Sequence, residues 1–533
     1  MSSYSTSADQ SAVMQSDAAA SAASPTSTVP DLVKIGSIPS NTAIDIETDV
    51  LDPVVMNESI CRFQLQNKGI LHSHSKIVLR MANNGEKSYL PIGVGIHSLI
   101  QRCVLRIGTK TVSEIDDYNH YLGYKSLFMS NEHQKEREQL TSGRAISHGI
   151  YYNDGGNASS VGQSNTSASF VGLDLGYGYE KTGTKASPGT SDSNAVLELL
   201  PCQRTNGLVG PDAATTFNGP EYQIALADLF PFLYTNQLPL YMISEPVTIE
   251  LTFSERKFRL SAGGTGSAVG ASANLDLTAT QLIADYQYFP QEIMESYARE
   301  NADMTFTYVD YRLAKRNVVQ KNASGLEIGS GQQIMNIGAA GRICSKVVTM
   351  LSNDGIDEVS LVNNFHSMGA MREVNGTDAQ NYNGKLTANI KYNNQFLYPV
   401  DIDNSARLFN AVVSAEGMVP FVVREEYGYE GKQISPIDFE GLAQNGVDHQ
   451  GNAYGLPNKF FYQAYHLNRN ERVNSRGLEY YFDYDKLQNY STAKDSDAAN
   501  AVGAKGNSYT LRTYVELMKV ATLKNGMIET FFA

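Results

Sequence analysis

Two histidines, His72 and His74, form the only closely spaced histidine pair in the sequence. On a β-strand, side chains two residues apart lie on the same face, so both imidazoles could bind one metal ion. No cysteine or third histidine lies nearby to complete a ligand set, and a turn or a strand edge accounts for the pair equally well. We therefore assign no metal-binding residues.

The other patterns that could carry chemistry are incomplete. Gly93-Val-Gly95 and Gly263-Gly264-Thr265-Gly266 lack the strand-to-helix setting of a phosphate-binding loop. The acidic pairs Asp483/Asp485 and Asp495/Asp497 could contribute to a calcium site, but the glycine and the terminal glutamate of the familiar calcium loop are missing. No Gly-x-Ser-x-Gly nucleophile motif occurs. We predict no catalytic residues, no cofactor and no enzyme activity.

Composition excludes further classes. The chain has 533 residues, with 42 Lys and Arg against 56 Asp and Glu, and its formal net charge is −14. Because nucleic-acid binding requires clustered cations and no run of Lys or Arg exists, we predict no direct nucleic-acid contact. Hydrophobic residues make up 42% and charged residues 18%, with 31 Tyr and 20 Phe but no Trp. This composition favours large cores with weakly charged surfaces.

The four cysteines, Cys61, Cys103, Cys202 and Cys344, are far apart in sequence and form no Cys-x-x-Cys pair. We interpret them as buried free thiols, which fits a reducing compartment. The first lysine is Lys34, and no apolar run of 18 residues occurs. The sequence therefore predicts neither a signal peptide nor a membrane span.

The elements that must position any site are mainly strands. Residues 1–30 are rich in Ser, Ala and Thr and are predicted to form a flexible N-terminal arm. Beyond them, Ile44–Val50 and Cys61–Gln66 alternate apolar and polar residues, which predicts strands with one buried and one solvated face. Similar segments separated by turn residues are Ile77–Met81, Cys103–Val112, Val247–Phe253, Leu282–Phe289, Met304–Leu313, Lys346–Met350, Lys385–Tyr392 and Leu511–Thr522.

The clearest helix is predicted over Ser113–Gln139, with Ser113 and Asp116 as a capping box. Residues 151–220 and 261–275 are predicted to be long surface loops. The segment Tyr480–Tyr484 is rich in tyrosine and is interpreted as core or subunit interface.

A weak internal repeat indicates duplication. Ile100–Ile107 precedes a helix, and Ile343–Met350 precedes a second predicted helix with Leu361, Phe365 and Met368. Val247–Phe253 closes the first half and Leu511–Leu523 the second. We predict an all-β fold of two tandem β-sandwiches with a few short helices and long loops, the first spanning residues 31–295 and the second 296–533.

Three segments carry a family resemblance. They are Gly95–Ile100 leading through Arg106–Gly108 to Asp116–Tyr118; Leu226–Phe232 with Leu238–Leu240 and Val247–Phe253; and Tyr509–Glu516 with Lys524–Gly526. In their order and spacing they resemble the double jelly-roll major capsid proteins of tailless icosahedral double-stranded DNA viruses, especially polinton-like viruses and virophages, in the lineage of the adenovirus hexon. Glu425–Asn458 matches nothing in that family.

The resemblance implies a double jelly roll that forms homotrimeric, pseudo-hexameric capsomers in an icosahedral shell. It also implies contacts with neighbouring capsomers, penton proteins and minor capsid or cement proteins, and a virion location after synthesis in the host-cell cytoplasm. A two-domain β-sandwich carbohydrate-binding protein is the alternative function. A minor capsid or spike protein would share the fold class.

Overall fold

The computed structural model describes residues 44–80, 88–89, 94–126, 141–143, 221–254, 261–262, 275–319, 331–353, 385–401, 405–415, 446–447, 453–454, 462–467, 472–473, 477–485 and 509–533. The predicted arm at 1–30, the loop at 151–220, the charged end of the first predicted helix and the second predicted helix lie outside these residues.

Strands with alternating burial dominate the first half of the chain. In Val247–Phe253, for example, every second residue is buried and those between are half-buried. The strands are β1 (Asp45–Leu51), β2 (Val55–Met56), β3 (Ile60–Leu65), β4 (Ile70–Leu71), β5 (Lys76–Arg80), β6 (Ser88–Tyr89), β7 (Ile100–Ile107), β8 (Lys110–Asp116), β9 (Glu221–Ala225), β10 (Leu238–Pro239), β11 (Val247–Phe253), β12 (Ser261–Ala262) and β13 (Gln281–Tyr288).

The second half has longer strands. They are β14 (Asp303–Val319), β15 (Gly331–Asn336), β16 (Cys344–Asn353), β17 (Lys385–Tyr392), β18 (Gln395–Phe396), β19 (Gly446–Val447), β20 (Ala453–Tyr454), β21 (Tyr462–His466), β22 (Leu478–Asp485), β23 (Tyr509–Lys524) and β24 (Met527–Phe532). The helices of the described residues are short: α1 (Tyr118–Ser126), α2 (Leu226–Leu229), α3 (Pro231–Thr235), α4 (Gln291–Glu300) and α5 (Ser405–Ala415), with 3-10 turns at Gly95–Leu99 and Leu240–Met242.

Each half is a pair of antiparallel sheets with the same strand order. In the first sandwich the sheets run β1-β13-β5-β9 and β3-β11-β7-β8. In the second they run β14-β23-β16-β21 and β15-β22-β17-β18. Counting the eight main strands of each half in chain order, both sandwiches have one sheet 1-8-3-6 and one sheet 2-7-4-5. This is the jelly-roll arrangement, present twice.

The second sandwich shows how such a core is filled. Thr349 of β16 and Thr513 of β23 exchange a hydrogen bond at 3.1 Å on the inner face of their sheet. From the opposing sheet, the Tyr480 hydroxyl reaches across and donates to Gln463 of β21. These side chains are buried together with Val347 and Val515, so the core lies between the two sheets.

Three local predictions were wrong. Ser113 and Asp116 lie in β8 rather than in a helical capping box, and the helix begins at Tyr118. Ser113 is buried and donates to Asp310 across the molecule, so a tertiary contact replaces the predicted cap. Cys103–Val112 is also not one strand, because Gly108 takes φ +57° and turns the chain between β7 and β8.

The repeat is present, but the prediction of which segments are equivalent in the two halves was wrong by one strand. Ile100–Ile107 is the fourth strand of its sandwich, whereas Ile343–Met350 falls mainly in β16, the third strand of the other. Val247–Phe253 is likewise a seventh strand and β23 an eighth. Neighbouring strands of one sandwich share the same alternating pattern, so periodicity alone did not fix their order.

Candidate functional site

The residues singled out from sequence do not converge on one chemical site. His72 and His74 lie in the turn between β4 and β5 rather than on a strand, with ring centroids 4.4 Å apart. The His74 amide donates to His72 Nδ1 at 3.1 Å. Among the described residues there is no group of three or more His, Cys, Asp or Glu that could hold a metal ion.

The acidic and tyrosine-rich segments are parts of the sandwich. Asp483 lies on β22 and is half-buried, while Asp495, Asp497 and Gly263–Gly266 lie outside the described residues. Tyr480 and Phe482 are buried, and Tyr481 points outward with its hydroxyl donating to Glu479 at 2.9 Å. Three of the cysteines, Cys61, Cys103 and Cys344, are buried free thiols as predicted. None of the helices in the described ranges has the length and apolar character required to span a bilayer.

The most elaborate constellation of side chains lies where the two sandwiches meet, and we call this contact the seam. It is built on a ribbon, defined as the paired strands β14 and β23 of the second sandwich, whose register extends from Asp303 opposite Lys524 to Val319 opposite Tyr509. The ribbon is longer than its own sandwich requires. Its surplus length lies against the first sandwich.

Strand β8 of the first sandwich lies on one face of the ribbon. The Asp310 carboxylate accepts from the Ser113 hydroxyl at 3.3 Å and from the Glu114 amide at 3.2 Å. Lys519 forms a buried ion pair with Asp310 at 2.9 Å and donates to the Thr111 carbonyl at 3.1 Å. Burial raises the pKa of Asp310, and the adjacent Lys519 ammonium opposes that rise.

Aromatic packing completes this face. Phe232 of α3 meets Phe306 and Tyr308 of β14 edge-on, with ring centroids 5.5 and 4.9 Å apart. The Tyr308 hydroxyl donates to the carbonyl of Val112 at 2.6 Å. All three rings are buried, so the seam combines a dry aromatic contact with satisfied polar groups.

The other face of the ribbon receives Asp117 and helix α1. Asp117 takes φ +47°, which turns the chain from β8 into α1. Its carboxylate accepts from Arg512 Nε at 2.8 Å and forms an ion pair with Lys315. Its carbonyl accepts from the Tyr514 hydroxyl at 2.7 Å. The ring of Tyr121 on α1 lies 4.5 Å from that of Tyr311 and 5.0 Å from that of Tyr514.

The electrostatics of Asp117 follow from these partners. Burial on its own would raise the pKa of this carboxyl, but the positive charges of Arg512, His120 and Lys315 outweigh burial and lower the pKa to about 2. Asp117 and Arg512 are both almost completely buried. The carboxylate is therefore ionised throughout the physiological range and holds the two sandwiches together.

A third contact comes from the C-terminal hairpin of β23 and β24. Its turn uses Asn525 at φ +49° and Gly526 at φ +78°. The Gly526 carbonyl accepts from the Ser244 amide at 2.9 Å and from the Ser244 hydroxyl at 3.0 Å. A Cβ at position 526 would lie 2.9 Å from Ser244 Oγ. The turn thus docks tightly on the segment that precedes β11.

The seam therefore makes one rigid unit of two sandwiches. Because β8 contacts one face of the ribbon while Asp117 and α1 contact the other, the chain between Thr111 and Tyr121 grips the ribbon from both sides. Sequence reasoning missed these residues. Asp117 and Arg512 are 395 positions apart, and neither belongs to a recognisable motif. Both nevertheless lie in segments that carry the family resemblance, Asp117 in Asp116–Tyr118 and Arg512 in Tyr509–Glu516.

Comparison with known proteins finds the same architecture among solved structures. No protein-family model matches the sequence, and no curated protein is significantly similar to it. Among solved structures, PBCV-1 VP54 fitted into a cryo-EM reconstruction of the virophage Sputnik superimposes with a TM-score of 0.51 at 10% identity, covering 93% of this chain and 98% of that chain. A chain of the Sputnik virophage structure gives a TM-score of 0.52 at 11% identity, covering 93% and 90%.

At these identities the likeness establishes the fold. The chain is an all-β double jelly roll, as predicted from sequence. It is the fold of chains found in the virus particles just named, and it covers nearly their whole length.

Proposed function

We propose that the protein is a structural major capsid protein of a tailless icosahedral double-stranded DNA virus, acting by trimerisation and lattice assembly without catalysis. One observation carries the proposal. The same eight-strand sandwich occurs twice in a single chain, the two copies are fixed by a buried seam, and 93% of the chain superimposes on chains from virus particles.

The physics of such a chain favours a shell. Three copies of a two-sandwich unit contribute six similar outer edges, so a three-fold ring acquires a nearly hexagonal outline. Hexagons tile a closed surface when pentagons are added. Contacts within the ring are heterologous and close on themselves, and obligate interfaces of this kind bury on the order of 2,000–5,000 Å². The rigid seam supports this role, because a nearly hexagonal outline requires the two sandwiches of each chain to keep a fixed relative orientation.

The proposal assigns the first jelly roll to residues 31–295 and the second to 296–533, with helix α4 (Gln291–Glu300) crossing between them. The partners are neighbouring capsomers, penton proteins and minor capsid or cement proteins. The location is the virion shell after synthesis in the host-cell cytoplasm. A net charge of −14 suits a shell protein that does not contact the genome directly.

Negative-stain electron microscopy of the purified protein, with reference-free class averages, tests the proposal. We expect three-fold particles with a hexagonal base, and a mass of three chains by light scattering. Compact monomers over a range of salt and pH would overturn it. Saturable glycan binding by such a monomer would favour the carbohydrate-binding alternative.

A further inference from the structure

The duplication makes two helices equivalent. Helix α1 follows β8, the fifth strand of the first sandwich, and α5 follows β18, the fifth strand of the second. The two 1-8-3-6 sheets are equivalent in the same way.

Within the chain, α1 lies on the outer face of the second sandwich's 1-8-3-6 sheet at its strands β14 and β23, where the ring of Tyr121 contacts Tyr311 and Tyr514. Outward residues on three neighbouring strands are almost fully buried there: Arg512 and Tyr514 on β23, Val348 and Met350 on β16, and Ala464 on β21. Tyr121 and Tyr124 of α1 belong to the same buried cluster as Val348, Met350 and Ala464. Helix α5 packs against β21, where His466 stays exposed, so α1 covers this face at the strands β14 and β23 and not over its whole width.

The equivalent face of the first sandwich is not covered in this way. Leu282, Ala284 and Tyr286 of β13 point into the core, so the residues between them point outward. Opposite them on β1, Ile46 pairs with Gln287 and Val50 with Ile283 on the outward side. Ile46 is 56% exposed and Val50 is 58% exposed, and Ile44 continues the same stripe. We call this surface the β1–β13 face.

Among the described residues, the equivalent helix also has an exposed side. Ala411, Val412 and Ala415 of α5 are buried in their own sandwich. Arg407, Asn410 and Ser414 are exposed, and their spacing of three and four residues places them on one stripe. Helix α1 has no such stripe, since every residue from Tyr118 to Tyr124 is buried.

We propose that α5 of one copy lies on the β1–β13 face of a second copy of this chain, repeating between molecules the contact that α1 makes within one. The proposal rests on the trimer proposed above and names its contact. Charge supports the pairing. In the seam, Asp117 meets Arg512 and Lys315. Between copies, Arg407 of α5 would lie near Asp285, an outward and half-buried carboxylate on β13 that also accepts from the Thr48 hydroxyl at 2.7 Å.

The contact is directional. Each chain offers one α5 to the next copy and one β1–β13 face to the previous copy. Two different surfaces on one chain give a head-to-tail contact, which closes into a ring of three when its rotation is 120° and cannot form a two-fold dimer. The side chains at its centre, Ile46 and Val50, exchange water for helix atoms.

A mixed cross-linking experiment tests the contact on the full chain. Two variants, Ile46→Cys and Ser414→Cys, are co-expressed with different tags, and the purified protein is treated with a short bismaleimide. We expect a cross-linked dimer carrying both tags from the mixture and little or none from either variant alone. Tyr234→Cys, at a side chain 79% exposed on α3, replaces Ile46→Cys in the control mixture and should not cross-link with Ser414→Cys.

A second variant keeps the test independent of cross-linking yield. Val50→Asp places a charge on the β1–β13 face and should weaken the trimer at least tenfold in sedimentation velocity without lowering the melting temperature of the isolated chain. Arg407→Glu should weaken it as well, and Asp285→Lys in the same chain should restore part of the loss. Tyr234→Asp serves as the matched control and should leave the trimer intact.

The possible outcomes separate this proposal from the one it rests on. Three-fold particles with no cross-link between positions 46 and 414, or with trimers unaffected by Val50→Asp, would overturn the α5 contact and leave the capsomer function standing. Monomers in the unmodified protein would overturn both. Equal cross-linking in the Tyr234→Cys control would also count against a specific contact.

Discussion

Replacing Asp117 with asparagine should remove the negative charge at the seam while keeping the size and shape of the side chain. Asparagine tolerates the left-handed backbone at φ +47°, so the turn into α1 is kept. Arg512, only 4% exposed, then remains buried without its carboxylate. Removing one partner of a buried ion pair costs about 3–5 kcal/mol. We expect about 3 kcal/mol, at the lower end of that range, because the amide oxygen can still accept from Arg512.

The pKa of Asp117 gives an independent magnitude. Its ordinary value is 3.8 and the value in the fold is about 2, which corresponds to about 2 kcal/mol in favour of the ionised folded state. Because the folded pKa is the lower one, this stability is fully present above about pH 4 and is lost as the pH falls toward 2. Asp117→Asn should flatten this part of the acid-denaturation curve.

Urea unfolding at pH 7 followed by circular dichroism and tyrosine fluorescence measures the loss. The matched control is Glu250→Gln, which breaks the Arg62–Glu250 pair at 2.6 Å, where Arg62 is 47% exposed. That pair should contribute no more than about 1 kcal/mol. If Asp117→Asn costs no more than Glu250→Gln, or if its acid-denaturation curve keeps the original shape, the electrostatic account of the seam is refuted.

Three further predictions concern the seam and the core. Gly526→Ala should lower the free energy of unfolding by about 1–3 kcal/mol. Two effects add: an alanine is strained at φ +78°, and its Cβ would lie too close to Ser244 of the first sandwich. Gly341→Ala, with φ +74° but open space around its Cβ, should show only the strain, and equal losses would contradict the proposed docking of the turn. Phe232→Ala should cost about 3–5 kcal/mol in urea unfolding, whereas Tyr234→Ala on the same helix should change stability by less than about 0.5 kcal/mol. Burial raises the pKa of Cys61 to about 12, so this thiol should react with a disulfide reagent at pH 8 only after denaturant is added.

The local periodicity of the sequence was a reliable guide to strands. Val247–Phe253 and Lys385–Tyr392 were predicted with the bounds that the structure gives. The pattern failed where neighbouring elements decide burial. Ile44–Val50 is a strand as predicted, but the prediction of a buried apolar face was wrong, because Ile44, Ile46 and Val50 are exposed. The reason is the register of this edge strand, which places Glu47 and Asp49, paired with Lys68, opposite the core-facing Tyr286 and Ala284 and turns the apolar side chains outward.

The seam lay beyond any local pattern. Ser113 looked like a helix cap because the residue that determines its conformation, Asp310, is 197 positions away. Lys519 was missed for the same reason: its partner Asp310 is far away in sequence, so by itself it looks like an ordinary surface lysine. Contacts of this kind depend on which sheet faces pack against each other. They are therefore set by the tertiary arrangement of the two sandwiches and not by local sequence.

The long sequence separation between Asp117 and β23 has a consequence for the timing of folding. Asp117 meets Arg512 across 395 residues, so at about 5–20 residues per second of synthesis the corner before α1 waits roughly 20 to 80 seconds for its partner. During that interval the first sandwich can form its own sheets. Its side chains that contact the ribbon cannot yet form those contacts, because β23 has not been synthesised. A chain released early lacks β23 and therefore never closes the seam. Synthesis of β23 therefore determines when the two sandwiches become one rigid unit.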